Sequence, residues 1–235
     1  VPQQLFVNCS ETARKWSVLT IAEYAYFRAM VKQIIFDLGG VLINLDFQAT
    51  SDAFKKLGAA NFDAAYTQLK QSDVFDRLDR GEISDEDFRN YLREFMPQSV
   101  SDEALDAAWN AMILDFPAAR LQWLLELKER MPIYLLSNTN HIHVRHFSTY
   151  LSAAQGVNDL KTYFNRAYYS CEIGLRKPDV AAFEFVLQEN NLLPHETLFI
   201  DDTHHHVAGA LQAGLQATLL EKHQRVEDVV RQILH

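Results

Sequence analysis

The sequence predicts an α/β fold, an open parallel sheet covered by helices, with an all-helical insertion after its first strand. Two observations carry this. From Ile133 onward, short apolar runs bounded by turn residues alternate with segments of helical period, which is the pattern of βαβ units. Between about Phe47 and Pro117 the alternation stops, and helix-period patterning continues without a convincing strand.

Taken in order, the expected strands are Gln33–Phe36, Ile133–Leu136, Ala167–Tyr169, Leu198–Ile200 and Ala217–Leu220. Between the later strands, three sets repeat at i, i+3, i+4 spacing: Leu121, Leu124 and Leu125; Phe183, Val186 and Leu187; Val207, Ala210 and Leu211. Each set gives one apolar stripe for a helix that covers the sheet. Pro178 stands where a first helical turn would start, and Gly214 where a left-handed cap is wanted. Within the insertion, Ser84 with Asp87 three residues on resembles a capping box ahead of Phe88, Leu92 and Phe95. The expected division is an N-terminal extension over 1–30, an α/β core formed by 31–46 and 118–235, and a helical cap over 47–117. The extension is compatible with one amphipathic helix, and Met30 stands immediately before the first strand.

A chain of 235 residues with 48% hydrophobic content can bury a full core. A formal charge of -9 and no long Lys/Arg run argue against nucleic acid and anionic membrane as partners, which need a basic surface. No apolar stretch approaches the ~20 residues of a membrane-spanning helix. Two cysteines, Cys9 and Cys171, are too few for a disulfide framework, so a reduced, cytoplasmic setting is the expectation.

The chemistry-bearing residues gather at predicted strand ends. Asp37 follows the first strand within Phe36-Asp37-Leu38-Gly39-Gly40, and in an open α/β sheet that position projects into the ligand crevice. The glycines allow backbone N–H groups to approach a phosphate closely. Ser137 and Asn138 follow the second strand in Leu136-Ser137-Asn138-Thr139-Asn140; Lys177 stands before Pro178; Asp201 and Asp202 follow the fourth strand. Adjacent carboxylates there suit a hard cation with oxygen ligands. Singly, each has a plainer explanation: a turn aspartate, a helix-capping serine, a surface lysine, a solvated acidic pair.

Together, in this order, they resemble the haloacid-dehalogenase superfamily over nearly all of Val31–His235. The spacing of the first two motifs matches members with a small helical cap, and Gly39 with the run Leu136 to Asn140 resembles the sugar-phosphate phosphatase branch. The resemblance implies a Rossmann-like core and a Mg²⁺-dependent hydrolase of a small phosphorylated metabolite. It implies Asp37 as nucleophile, and Ser137 and Lys177 on the phosphoryl oxygens. Asp37, the Gly39 carbonyl, Asp201 and Asp202 are implied around Mg²⁺, and Leu38, Gly39, Asn138 and the cap residue Arg80 at the substrate.

Two departures stand out. Gly39 occupies the position where most phosphatases of the superfamily carry a second Asp as general acid and base, which leaves Asp46, or more weakly His204, as a substitute. In His204-His205-His206, relatives usually keep Asn or Asp at the position of His206; consecutive side chains on a helix diverge, so a lining or supporting role is expected rather than a histidine metal site. Two other functions share the pattern. A 2-haloacid dehalogenase uses the same nucleophile without metal, and has little use for Asp201 with Asp202. A non-catalytic phosphosugar-binding module would not need all four motifs.

Overall fold

A computed structural model of the chain describes residues 31–96 and 99–234; the expected N-terminal extension lies outside the described residues. Five parallel strands form one sheet: β1 (Gln33–Phe36), β2 (Ile133–Ser137), β3 (Arg166–Tyr169), β4 (Thr197–Asp201) and β5 (Gln216–Leu219), in the order β3-β2-β1-β4-β5. After β1 the chain builds outward to β2 and β3, then returns to add β4 and β5 on the other side. The direction of winding thus reverses between β1 and β4, and a crevice opens at the carboxyl ends of such strands.

Strand side chains alternate between two buried faces, as a sheet covered on both sides requires. Ile34, Phe36, Ile133, Leu135, Leu198 and Ile200 pack on one side. That side is covered by α6 (Ala118–Lys128), α7 (His141–Gln155) and α11 (Val226–Leu234). Ile35, Tyr134, Leu136, Tyr168 and Phe199 point the other way, against α9 (Val180–Glu189) and α10 (His204–Gln212). Each such aliphatic or aromatic side chain contributes about 1.5–3 kcal/mol on burial.

Among the described residues the insertion holds five helices: α1 (Phe47–Lys56), α2 (Phe62–Gln71), α3 (Val74–Asp79), α4 (Asp85–Arg93) and α5 (Asp102–Asn110). They surround their own apolar cluster, with Phe54, Phe62, Phe88, Leu105 and Trp109 at its centre and Ile142 of α7 joining from the core. Phe54 stacks on Phe62 at 4.1 Å between ring centroids. Ser84 and Asp87 close the expected capping box, and Phe88 and Leu92 are buried behind it.

Three details differ from the sequence expectation. On α6 the buried stripe is Leu121, Leu124 and Leu127, while Leu125 is 37% exposed. A helix steps about 100° per residue, so 121, 124 and 127 stay on one flank and 125 drifts off it. On α10, Leu211 is 50% exposed and the contact is made by Gly209 and Ala210. Pro178 precedes α9 rather than starting it, because Asp179 is the N-cap. Gly214 does take the left-handed conformation, with φ 83°.

Candidate active site

Asp37 leaves the end of β1 with its amide N–H donating to the Ile200 carbonyl of β4 at 2.9 Å, which fixes it at the winding reversal. Ser137 and Asp201 are the last residues of β2 and β4, both buried, and Asp202 follows. Lys177 reaches the same place from the loop before α9, fully buried, with its Nζ 5.2 Å from the centroid of the Phe199 ring. Its ammonium donates to Asp37 Oδ1 at 2.5 Å and to Asp201 Oδ2 at 2.7 Å.

Asn138 positions that lysine. Its amide donates to the Lys177 carbonyl at 2.8 Å and accepts from the Lys177 N–H at 2.9 Å, a reciprocal pair that ties the loop after β2 to the lysine loop. The Asn138 side chain is therefore engaged with backbone, while the group expected at a phosphoryl oxygen is its backbone N–H. Ser170 at the start of α8 (Ser170–Ile173) repeats the device, accepting from the Thr139 N–H and donating to the Thr139 carbonyl. His206 places Nδ1 2.9 Å from Asp201 Oδ2, the supporting role expected of it, whereas His204 and His205 are exposed.

The electrostatics follow from burial. Burial pushes the Asp37 carboxyl up to about 6, with the Asp201 charge adding to the effect against the pull of Lys177. Burial also works against the Asp201 carboxylate, but Lys177 and His206 overcome it and hold that group at about 2. Burial disfavours the Lys177 ammonium, yet the two carboxylates raise its pKa.

Asp37, Asp201 and Asp202 each offer a carboxylate oxygen, all within 4.8 Å of one another. Three carboxylates face one ammonium, so a divalent cation with oxygen ligands fits both the donor set and the uncompensated charge. Gly40 has φ 72°, and a Cβ there would fall 2.2 Å from Asp202 Oδ2; the absence of a side chain leaves room for that carboxylate.

Above the cluster lies a cavity of about 320 Å³ between core and cap. Asp37, Leu38, Gly39, Ser137, Asn138 and Asp202 form its core side. The cap and the start of α7 supply Tyr66, Phe75, Asp79, Trp109, Met112 and His143. Sequence reasoning missed most of this roof. Arg80 is not among the lining residues: its guanidinium pairs with Asp179 at 2.7 Å, and its neighbour Asp79 faces the cavity instead. Asp46 caps α1, accepting from the Gln48 N–H at 3.0 Å, and also stands off the lining. His143 is buried, and burial, with His146 adding, lowers its pKa to about 3. Its Nδ1 lies 2.8 Å from the Asn110 Oδ1, which accepts, so Nε2 carries the lone pair. Trp109 stacks on the His143 ring, and its buried indole N–H has no partner among the described residues.

The D-ribitol-5-phosphate phosphatase of Bacteroides thetaiotaomicron is 31% identical over 173 residues, 74% of this chain and 84% of that protein. The sesquiterpene phosphatase astK of Aspergillus oryzae is 27% identical over 192 residues, 78% of this chain and 87% of that protein. A haloacid dehalogenase family enzyme from Bacteroides thetaiotaomicron, solved with magnesium and inorganic phosphate, superposes with a TM-score of 0.74 at 32% identity, covering 85% of this chain and 98% of that one. The family model for haloacid dehalogenase-like hydrolases matches residues 31–214, a span that runs from the first strand through the acidic pair. With that match, and with aspartate, serine, lysine and acidic pair converging on one crevice, the chain belongs to the haloacid dehalogenase-like hydrolases and is an enzyme of that family.

Proposed function

We propose that this enzyme is a Mg²⁺-dependent phosphatase that hydrolyses a small phosphorylated metabolite, a sugar or alditol phosphate, through an aspartyl-phosphate formed on Asp37. The observation that carries the reading is the buried Asp37–Lys177–Asp201 cluster, which meets Ser137 and Asp202 beneath a capped cavity. Residues 47–117 are taken as the cap and 31–46 with 118–235 as the catalytic core.

Asp37 attacks phosphorus in line, and the alcohol leaves toward the cap. Ser137 and Lys177 hold phosphoryl oxygens, and the lysine balances charge on the clustered carboxylates. Asp37, the Gly39 carbonyl, Asp201 and Asp202 would hold Mg²⁺, whose charge would relieve repulsion between anionic nucleophile and anionic substrate. Asn138 and Ser170 act one step back, on the two loops that aim Lys177 and Ser137. In the roof, Asn110 engages His143 Nδ1, which leaves Nε2 to accept from a substrate hydroxyl, and this suits a polyol. The similarity to D-ribitol-5-phosphate phosphatase supports that class. The buried free thiol of Cys171 is compatible with a cytoplasmic setting, and no helix among the described residues is long and apolar enough to cross a membrane.

A second reading has one observation in its favour. Ile43, Leu45, Phe47, Phe75, Met112 and Ile113 also line the cavity, an apolar share that fits the body of a phosphorylated isoprenoid alcohol. Phosphate release from a panel holding alditol, hexose and isoprenyl monophosphates decides between them by kcat/KM. With the best substrate, Asp37→Asn is expected to lose essentially all turnover while keeping its melting temperature. Activity surviving in that variant would remove Asp37 as the nucleophile.

A further inference from the structure

A phosphatase of this design has a chemical gap at Gly39. An alcohol leaves poorly as an alkoxide, and general acid help is typically worth ~10²–10⁴-fold. Among the described residues lining the cavity, the ionisable side chains are Asp37, Tyr66, Asp79, His143, Asp202 and His206. Asp37 is the nucleophile, and Asp202 belongs to the cation cluster with Asp201, which engages His206. His143 is held neutral, with a pKa lowered to about 3, and so has no proton to give near neutrality. Tyr66 is a still weaker acid than a free phenol, because burial and the nearby Asp79 charge raise its pKa.

Asp79 remains. It ends α3, is half-buried, and faces the cavity from the cap, across from the core carboxylates. We propose that Asp79 is the general acid and base of the reaction, delivered to the leaving oxygen by the cap in place of the side chain that Gly39 lacks. This rests on the phosphatase reading above. As Asp37 Oδ bonds to phosphorus, the bond from phosphorus to the substrate oxygen breaks, and the Asp79 proton passes to that oxygen to give the alcohol. The Asp79 carboxylate then takes a proton from water as the water oxygen attacks phosphorus. The acyl-phosphate bond breaks, and phosphate, the Asp37 carboxylate and protonated Asp79 result.

The surroundings suit this cycle. Burial raises the Asp79 pKa to about 6, against the Arg176 guanidinium 3.7 Å away and a hydrogen bond from Asn140, with Asp76 adding to the rise. Tyr66 from α2 and Cys171 from α8 complete the ionisable groups that sense it. A carboxyl that titrates near 6 can both give and take a proton near neutrality.

The test compares ribitol 5-phosphate, a poor leaving group, with 4-nitrophenyl phosphate, a good one, in wild type and Asp79→Asn, following the first turnover. Alcohol release from ribitol 5-phosphate is expected to fall ~10²–10⁴-fold in the variant. The 4-nitrophenol burst is expected to fall by less than about tenfold, since its oxygen needs little protonation. The descending limb of the wild-type pH profile for alcohol release, set near 6 where Asp79 loses its proton, should vanish in the variant. Equal losses on both substrates would show a role in binding or in holding Arg176, and no loss on ribitol 5-phosphate would remove Asp79 from proton transfer; either overturns the proposal. Wild-type turnover of 4-nitrophenyl phosphate tests the phosphatase reading by itself.

Discussion

Gly39 itself can be made to report on proton transfer. Its φ lies outside the left-handed range, and an added Cβ would meet the Leu45 side chain, nearest at Cδ1, 2.7 Å away, the movable tip of a flexible side chain. Gly39→Asp is therefore expected to fold, and to raise ribitol 5-phosphate turnover at least tenfold in an Asp79→Asn background, since it places a carboxyl beside Asp37. Stopped-flow turnover of the double variant checks this; a folded protein no faster than Asp79→Asn would show that the carboxyl at this position does not reach the leaving oxygen. The contrast between Asp79 and Arg80 also shows what sequence can resolve at this scale. Asp37, Ser137, Asp201 and Asp202 were legible because strand ends converge wherever the sheet goes, and Lys177, which arrives from the loop before α9, through its place in the order of motifs. Which of two neighbours on a helix end faces a cavity turns on about 100° of rotation, and the docking of the cap decides it. Asn110, Trp109 and His143 escaped notice for the same reason, since their apposition joins α5 to α7 across long stretches of chain.

At the level of elements, strands were easier to place than the contacts of their helices. All five expected strands lie within a residue or so of those observed, because β1, β2 and β4 are short runs buried on both faces. The α10 stripe was misjudged because the closest approach is made by its smallest residue. A Cβ on Gly209 would fall 2.2 Å from the Pro178 carbonyl oxygen and 3.1 Å from the Phe183 ring. The missing side chain lets α10 pack directly on the loop that carries Lys177. Gly209→Ala is expected to push that loop away, at a cost of about 1–3 kcal/mol. This corresponds to a melting temperature lower by about 2–12 °C for a chain of this size, together with reduced turnover from a displaced lysine. Calorimetry and kinetics on one preparation test both parts, and an unchanged melting temperature would mean that the loop yields freely.

For the molecule as a whole, closure of the cap rests on exposed ion pairs as well as apolar contact. Arg80 meets Asp179 at 2.7 Å, Arg145 meets Asp85 at 2.6 Å, and Arg176 pairs with Asp76. Pairs of this exposure contribute about 0–1 kcal/mol each and weaken with salt. Raising salt from ~0.1 M to ~1 M shortens the screening length from ~10 Å to ~3 Å, so KM is expected to rise several-fold. An Arg80→Gln, Arg145→Gln double variant should start with a higher KM and respond less to salt. A salt-independent wild-type KM would remove these pairs from substrate capture. What keeps so lightly held a cap on course is its attachment. The chain enters and leaves the cap side by side, with the Asn44 N–H donating to the Asp115 carbonyl, the Leu114 N–H to the Asn44 carbonyl and the Asp46 N–H to the Met112 carbonyl. Two stitched ribbons bend together about one line and resist sliding or twisting. Any swing of the cap would be confined to that line and would return Asp79 to the same spot on each closure, as a door on its hinge brings its bolt back to the same keeper.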